Sequence, residues 1–208
     1  MGELTQVDNV MSVGFMGDDS ALVAALQSGH PGAPAALFDR YGQHVQRVLA
    51  NVLGLDPELA DLLHEVFAQA LKSVRGIKDG ERLKAWLTTI AVHTARGCIR
   101  SRTRRRWLRF GATEELPEAV AQGVSDEARE AMRSTYELLG ALSADLRIPF
   151  TLRFIHGMEL TDVAESCGVS LATIKRRLAK AERTFIARAR REPTLVSWIA
   201  EGSRWGRS

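Results

Sequence analysis

Residues 159–183 read ELTDVAESCGVSLATIKRRLAKAER: a short apolar segment, a glycine and then a longer basic segment. Val163 and Ala164 have the spacing of the buried face of a short helix, and Gly168 follows where a tight turn needs a positive φ angle. Ser170 is a favourable N-cap for a second helix. The pattern predicts a helix-turn-helix, a motif whose second helix can enter the major groove of DNA.

The second helix of this motif has two different faces. Ile174, Leu178 and Ala181 recur at steps of four and three, which predicts a buried stripe. The outward positions are mostly basic, and arginine or lysine there can donate hydrogen bonds to guanine edges. The alternative is a basic helical hairpin that binds no DNA and only presents a solvated face.

Apolar periodicity predicts helices in the rest of the chain as well, and no segment requires a strand. Upstream they are expected from Ser20 to the break at 29–32, over about 34–53, over 56–73 and over about 81–107, and downstream over about 131–142, 143–154 and up to about Arg191. Asp56 is the expected N-cap of the third helix. Pro149 is expected either to kink its helix or to lie in the first turn.

The predicted fold class is all-α, with two small helical domains joined by a flexible linker. The linker at 108–128 lacks periodicity and contains Pro117 and two glycines. The predicted organisation is a disordered N-terminus at 1–17, a first domain at 18–107, the linker at 108–128, a second domain at 129–191 and an extension at 192–208. The extension packs on the second domain, is disordered or binds a regulator.

The helix predicted over about 81–107 combines a packing face with a basic one. Leu83, Leu87 and Ile90 face inward at steps of three and four. His93, Arg96, Arg100 and Arg104 follow another face, and a row of this kind suits a polyanion. Trp86 is open to two interpretations, core packing or a platform for base stacking, and its place on the apolar stripe favours packing.

Composition excludes several classes of protein. The 208 residues carry a net charge of +3, but their basic residues concentrate in two patches, which indicates two contacts with a polyanion. The two cysteines, Cys98 and Cys167, form no disulfide or zinc pattern, and no segment is apolar enough to cross a bilayer. The acidic N-terminus does not resemble a signal peptide, so a cytoplasmic location is expected. We find no enzyme motif, metal-ligand cluster or cofactor site, and no small-molecule substrate is expected.

Taken together, these segments resemble the sigma-70 superfamily of bacterial RNA polymerase sigma factors, in its extracytoplasmic-function (ECF) subfamily. Residues 142–183 are similar to sigma region 4, with LSADLR at 142–147 and GVSLATIKRRL at 168–178. The first domain is similar to sigma region 2, with DLLHEVF at 61–67 and AWLTTIA at 85–91. The resemblance covers about residues 18–191 and implies a protein that binds core RNA polymerase and selects promoters.

The resemblance also implies a role for each surface. Core RNA polymerase would bind Asp61, His64 and Glu65. The −10 promoter element would contact Ile77, Lys78, His93, Arg96, Arg100 and Arg104, and the −35 element would contact Ser170, Thr173, Lys175, Arg176, Arg177, Lys180 and Arg183. An anti-sigma factor is the implied regulator.

Three positions depart from the family pattern, and two other classes of function remain as alternatives. His93 stands where asparagine is common, Gly97 where aspartate or asparagine is common, and Ile77 where an aromatic is common, so the −10 preference is open. The main alternative is a stand-alone helix-turn-helix regulator, which would dimerise and bind duplex DNA by itself. A nonspecific nucleic-acid-binding protein would instead show steep salt dependence and no sequence preference.

Overall fold

The structure is a computed structural model that describes residues 17–54, 56–108 and 126–196. The segments predicted as a disordered N-terminus and a flexible linker lie almost entirely outside these ranges, as does the end of the C-terminal extension. The described helices are α1 (Asp19–Gln27), α2 (Ala33–Leu53), α3 (Leu59–Ser73), α4 (Leu83–Leu108), α5 (Asp126–Gly140), α6 (Ala144–Phe150), α7 (Leu160–Cys167) and α8 (Leu171–Ala189). Since these ranges contain no strand, the predicted all-α class is confirmed.

Helices α1–α4 form the N-terminal unit, in which α2, α3 and α4 pack against one another and α1 lies at one end. Its core consists mainly of aliphatic side chains, and Val45, Leu49, Val66, Leu83 and Leu87 are fully buried. Burying such side chains is worth roughly 1.5–3 kcal/mol each, which stabilises a small bundle. The predicted stripes of these helices therefore form the core.

Gly80 allows α1 to approach the turn that precedes α4. A Cβ atom at this position would lie 2.4 Å from the Cα of Ser20. Gly80 begins a single 3₁₀ turn, Gly80–Arg82, so α4 begins at Leu83 instead of at the predicted residue 81. Only glycine fits this close contact without displacing α1.

Helices α5–α8 form the C-terminal unit, with α8 packed against α5, α6 and α7. Phe150 is buried at its centre, with the ring centroids of Phe154 and Phe185 at 4.9 Å and 5.1 Å. Leu195, in a final helical turn at 193–196, is also buried against this unit. This part of the extension packs on the C-terminal unit, which is one of the three interpretations of the sequence.

Several helix boundaries differ from the predicted ones. Helix α3 begins at Leu59, since Asp56 instead accepts a hydrogen bond from the amide of Glu58 in a turn before the helix. Helix α5 begins at Asp126, ahead of the predicted residue 131. Pro149 lies near the end of α6 and not in its first turn, and a π-helical turn, Thr151–Ile155, continues the helix.

The two units pack against each other along a contact that we call the seam. Helix α7 lies on α4, the π-helical turn on α2, and α6 on the C-terminal half of α4. Polar contacts join the units: an ion pair between Arg82 and Glu165, and a hydrogen-bond contact of 3.1 Å between Asn51 and His156. One apolar cluster runs through both units. The sequence predicted two units but not this contact between them.

Candidate nucleic-acid interface

Helices α7 and α8 form the predicted helix-turn-helix. Gly168 ends α7 with φ 66° and ψ 35°, the left-handed conformation expected of it. Its amide donates to the carbonyl of Glu165, and the next amide, that of Val169, donates to Ala164 at 3.1 Å. Ser170 then caps α8 by accepting a hydrogen bond from the amide of Thr173 at 3.3 Å. The chain therefore reverses over three residues and starts α8 with a fixed orientation.

The buried and exposed faces of α8 also agree with the sequence pattern. Ile174, Leu178 and Ala181 are buried against the C-terminal unit. Most of the residues assigned to DNA lie on the opposite side: Ser170, Lys175, Arg176, Lys180 and Arg183 are exposed, and Thr173 is half-buried. The first turns of α8 thus present a continuous polar and basic surface that a major groove can accept.

Arg177 differs from the other basic residues assigned to DNA. One of its guanidinium nitrogens lies 3.4 Å from a carboxylate oxygen of Asp145, and its Nη1 is buried without a hydrogen-bond partner among the residues that the structure describes. The guanidinium therefore braces α8 against the start of α6. The phosphate contact of Arg177 stays a prediction, and the ion pair with Asp145 is a second role for this side chain.

The basic residues of α4 lie along the seam. Arg96 is half-buried, and its Nη2 donates a hydrogen bond of 3.4 Å to the carbonyl of Cys167 at the end of α7. Arg100 and Arg104 line a groove between α4 and the start of α6. We call Arg96, Arg100 and Arg104 the cationic row. In this arrangement the C-terminal unit stands beside the whole row and covers part of it.

The other residues assigned to the −10 element lie in the loop before α4 and, in the case of His93, one helical turn before Arg96 on α4. Lys78 is exposed in the loop before α4, whereas Ile77 is 9% exposed and packs in the core. Side-chain contact between Ile77 and DNA would therefore require this loop to move. His93 is exposed and lines a groove between α3 and α4 together with Glu65. Burial, and then the charge of Arg96, lower the pKa of His93.

The residues assigned to polymerase binding share one face of α3. Asp61, His64 and Glu65 are all exposed there. The ring of Phe38, itself 40% exposed, stacks on His64 with centroids 6.5 Å apart. The sequence analysis did not single out Phe38, although an aromatic at the edge of an apolar stripe is a usable signal for a contact surface.

Fold and surface together define the class: a helical protein with two modules, in which a helix-turn-helix with an exposed basic helix follows a bundle with a cationic row. The comparison with protein families agrees with this class. The model for sigma-70 region 2 matches residues 37–106, and the model for sigma-70 region 4 matches residues 132–185. The chain belongs to the sigma-70 family of RNA polymerase sigma factors, in its ECF subfamily.

Individual relatives are similar over most of their length. The ECF RNA polymerase sigma-E factor of Escherichia coli K12 is 26% identical over 179 residues, which are 80% of this chain and 92% of the relative. The sigma-E factor of Haemophilus influenzae is 25% identical over 177 residues, 78% of this chain and 90% of the relative. The chain is thus similar to complete ECF sigma factors and not to one module alone.

Two solved structures share the fold. The structure of CnrH in complex with the cytosolic domain of CnrY aligns with a TM-score of 0.58 and 22% identity, over 84% of this chain and 98% of that one. The sigma factor RpoE in complex with the anti-sigma factor NepR from Bartonella quintana aligns with a TM-score of 0.57 and 24% identity, over 71% and 91% of the two chains. Within the described residues of this chain, no helix is both long and apolar enough to span a bilayer.

Proposed function

We propose that this chain binds core RNA polymerase through its N-terminal unit and directs it to promoters that carry −35 and −10 elements read by α8 and α4. The observation that carries the proposal is the capped, exposed and basic first half of α8, which follows a region 2 bundle in one chain. The chain acts as an initiation factor and not as an enzyme, and it works where the polymerase is, in the cytoplasm.

The −35 assignment is tested by run-off transcription with core polymerase on genomic DNA fragments. Replacing Lys175 and Arg176 by alanine removes two exposed donors, and a good contact with a base is worth roughly 1–3 kcal/mol. We expect promoter-dependent transcription to fall by about tenfold or more for the double variant. The matched control is the pair Arg188→Ala and Arg190→Ala, which removes the same charge from the far end of α8 and should have little effect.

The same experiment separates this proposal from the main alternative. A sigma factor should join core polymerase and start RNA at defined sites. A protein that ignores core polymerase and binds a duplex site tightly as a dimer would instead be a stand-alone regulator. Binding that is equally strong on every DNA fragment, with steep salt dependence, would indicate a nonspecific nucleic-acid-binding protein.

Polymerase binding is assigned to the exposed face of α3. Its acidic residues suit a basic partner surface, because charged contacts at the rim of an interface set association rate and register. Reversing Asp61 and Glu65 to lysine should abolish co-purification with core polymerase. Reversing Glu127, which is exposed on α5, changes one charge in the other unit and should leave co-purification intact.

Reading both promoter elements requires the units to separate. Elements more than one helical turn apart need modules at least ~34 Å apart, whereas here α7 rests directly on α4. The described form is therefore a closed form of the free chain, and promoter binding requires an open one. Since RpoE of Bartonella quintana was solved with an anti-sigma factor, we propose a protein of that class as the regulator of this chain.

A further inference from the structure

Two histidines from different units meet at the seam. His44 lies on α2, and His156 follows the π-helical turn of the C-terminal unit. Their ring centroids are 5.5 Å apart, with an angle of 61° between the planes. Thr88 contacts the first ring and Asn51 the second, so each histidine is held by a polar partner as well as by the other ring. The pair therefore connects the two units directly.

The hydrogen bonds around the pair fit neutral rings. The hydroxyl of Thr88 donates to the carbonyl of Lys84 at 2.9 Å. Its oxygen can therefore accept from Nε2 of His44, which is 2.8 Å away. Nδ1 of His156 lies 3.1 Å from the amide nitrogen of Asn51 and accepts a hydrogen bond from it. A proton added at this Nδ1 would face the amide hydrogens and break that bond unless the amide turned over.

The charges around the pair are all of one sign. Arg47 on α2 and Lys84 on α4 both act on the two rings, and the π-helical turn contributes the second ring itself. Burial, then Lys84, then His156 lower the pKa of His44 to about 4. Burial, then Lys84 and Arg47, also lower the pKa of His156. A second proton at this place is opposed by the two cations and by the first proton.

We propose that the His44–His156 pair makes the seam acid-labile, so that protonation of the two rings separates the units and opens the chain. In the open form the rings are hydrated and lie away from each other, and the proton is accepted without loss of a hydrogen bond. This acid-dependent opening is a property of the free chain and does not depend on the proposed function in transcription.

The direction follows from proton linkage. The closed form holds each histidine at a lowered pKa and therefore binds fewer protons than the open form. Acid thus favours opening. The effect grows as the pH falls from about 6.5, the ordinary pKa of histidine, towards the lowered pKa in the closed form. For a group whose pKa moves from about 6.5 to about 4, a change from pH 7.5 to 5.5 shifts the equilibrium about tenfold towards the open form.

The test is small-angle X-ray scattering of the full chain at pH 7.5 and pH 5.5, with circular dichroism at both. We expect the radius of gyration to increase at pH 5.5 while the helical signal stays constant. The double variant His44→Gln, His156→Gln keeps hydrogen-bonding capacity but cannot be protonated, and its radius should not depend on pH. The control variant His30→Gln alters an exposed histidine away from the seam, and its radius of gyration should respond to pH as that of the unmodified chain does.

Three results would overturn the proposal: no expansion of the unmodified chain, expansion that persists in the double variant, or expansion accompanied by loss of helix. The single variant His156→Gln serves if the double variant does not fold, and its expansion at pH 5.5 should be smaller than that of the unmodified chain. No polymerase or DNA enters this experiment, so its failure would leave the proposed function untouched.

Discussion

At the scale of single residues, Arg102 shows that position in a basic stretch does not decide what an arginine does. Its Nη2 donates to Asp56 at 2.7 Å and to Glu58 at 2.6 Å, which ties α4 to the turn before α3. The carboxylate of Asp56 is 1% exposed. These hydrogen bonds, that to Asp56 first, raise the pKa of Arg102 despite its burial. Arg102 is thus part of the fold, although its sequence neighbours Arg100 and Arg104 face a groove.

We expect Asp56→Ala to lower the free energy of unfolding by about 2–3 kcal/mol, because a largely buried guanidinium loses its main partner. The measurement is urea unfolding followed by circular dichroism. Arg100→Ala, which removes a neighbouring exposed arginine, should change stability by less than about 0.5 kcal/mol. Equal stability of the two variants would show that the Asp56–Arg102 pair does not hold α4 in solution.

Two glycines should respond oppositely to the same substitution. Gly168 has φ +66° and Gly97 lies inside α4, and a Cβ atom would meet nothing within 4 Å at either position. Backbone conformation alone therefore decides the outcome. Gly168→Ala should destabilise by about 1–2 kcal/mol, and Gly97→Ala should stabilise by up to about 1 kcal/mol. Thermal unfolding of both variants measures this, and a stabilising alanine at residue 168 would contradict the observed turn.

The sequence predicted residues with local roles far better than residues with distant partners. The turn glycine, the cap at Ser170 and the buried stripe of α8 follow from spacing of a few residues, and all are confirmed. The partners of Arg102 lie 44 and 46 residues away, and no local pattern indicates them. Ile77 is a similar case, since its burial depends on α1 packing beside the loop.

At the scale of elements, the position of α1 depends on the missing side chain of Gly80. A Cβ atom there would lie 2.4 Å from the Ser20 Cα and 2.8 Å from its backbone nitrogen, so α1 itself would have to move. We expect Gly80→Ala to cost about 1–3 kcal/mol, as overpacking of backbone usually does. Gly76→Ala, in the neighbouring 3₁₀ turn with no atom within 4 Å, is the matched control and should be nearly neutral.

Amide hydrogen exchange of the Gly80→Ala variant would show which segments are displaced by the added methyl group. Faster exchange confined to α1 and the 77–82 loop in the Gly80 variant would agree with a displaced helix. Unchanged exchange and stability would mean that α1 accommodates the methyl group without moving, which would contradict the close contact between Gly80 and Ser20.

Helix periodicity identifies the helices but not the irregular turns that connect or extend them. All eight helices correspond to predicted segments, yet the π-helical turn after Pro149 was not anticipated. Thr151 donates its hydroxyl to the carbonyls of Arg147 and Ile148, and the amide of His156 reaches back five residues to the carbonyl of Thr151. Such a turn depends on how α6 packs against α4 and α8, and it places His156 at the seam.

At the scale of the whole molecule, the contact between the two units could not be predicted from the sequence. The seam brings together residues more than 70 positions apart in sequence, as between Arg96 and Cys167, and it covers part of the cationic row assigned to DNA. Amphipathic patterns predict that a face is buried or exposed within its own unit, but they do not indicate a second burial against another unit. The site residues themselves stay predictions, which the transcription experiments above decide.

Arg147 indicates that the closed form is held less tightly than it could be. The residue is 8% exposed, and its Nε donates no hydrogen bond within the described part of the chain. Burial is the first cause that lowers its pKa, and the nearby charge of Arg102 lowers it further. Tyr136 and Asp56 raise the pKa and so offset part of this effect, but the Asp56 carboxylate is hydrogen-bonded to Arg102 and not to Arg147. A buried cation of this kind favours opening, since the open form can hydrate it.

Arg147→Met should therefore strengthen the closed form. Replacing a poorly paired buried ion by an apolar side chain of similar length is often stabilising, here by about 1 kcal/mol, which corresponds to a fivefold shift towards the closed form. Urea unfolding should show the added stability, and run-off transcription should need about fivefold more protein at limiting core polymerase. Arg133→Met, on the exposed face of α5, tests the same substitution outside the seam and should change neither. A less stable Arg147 variant would show that the guanidinium has a partner in solution, whereas added stability with normal transcription would show that opening does not limit initiation.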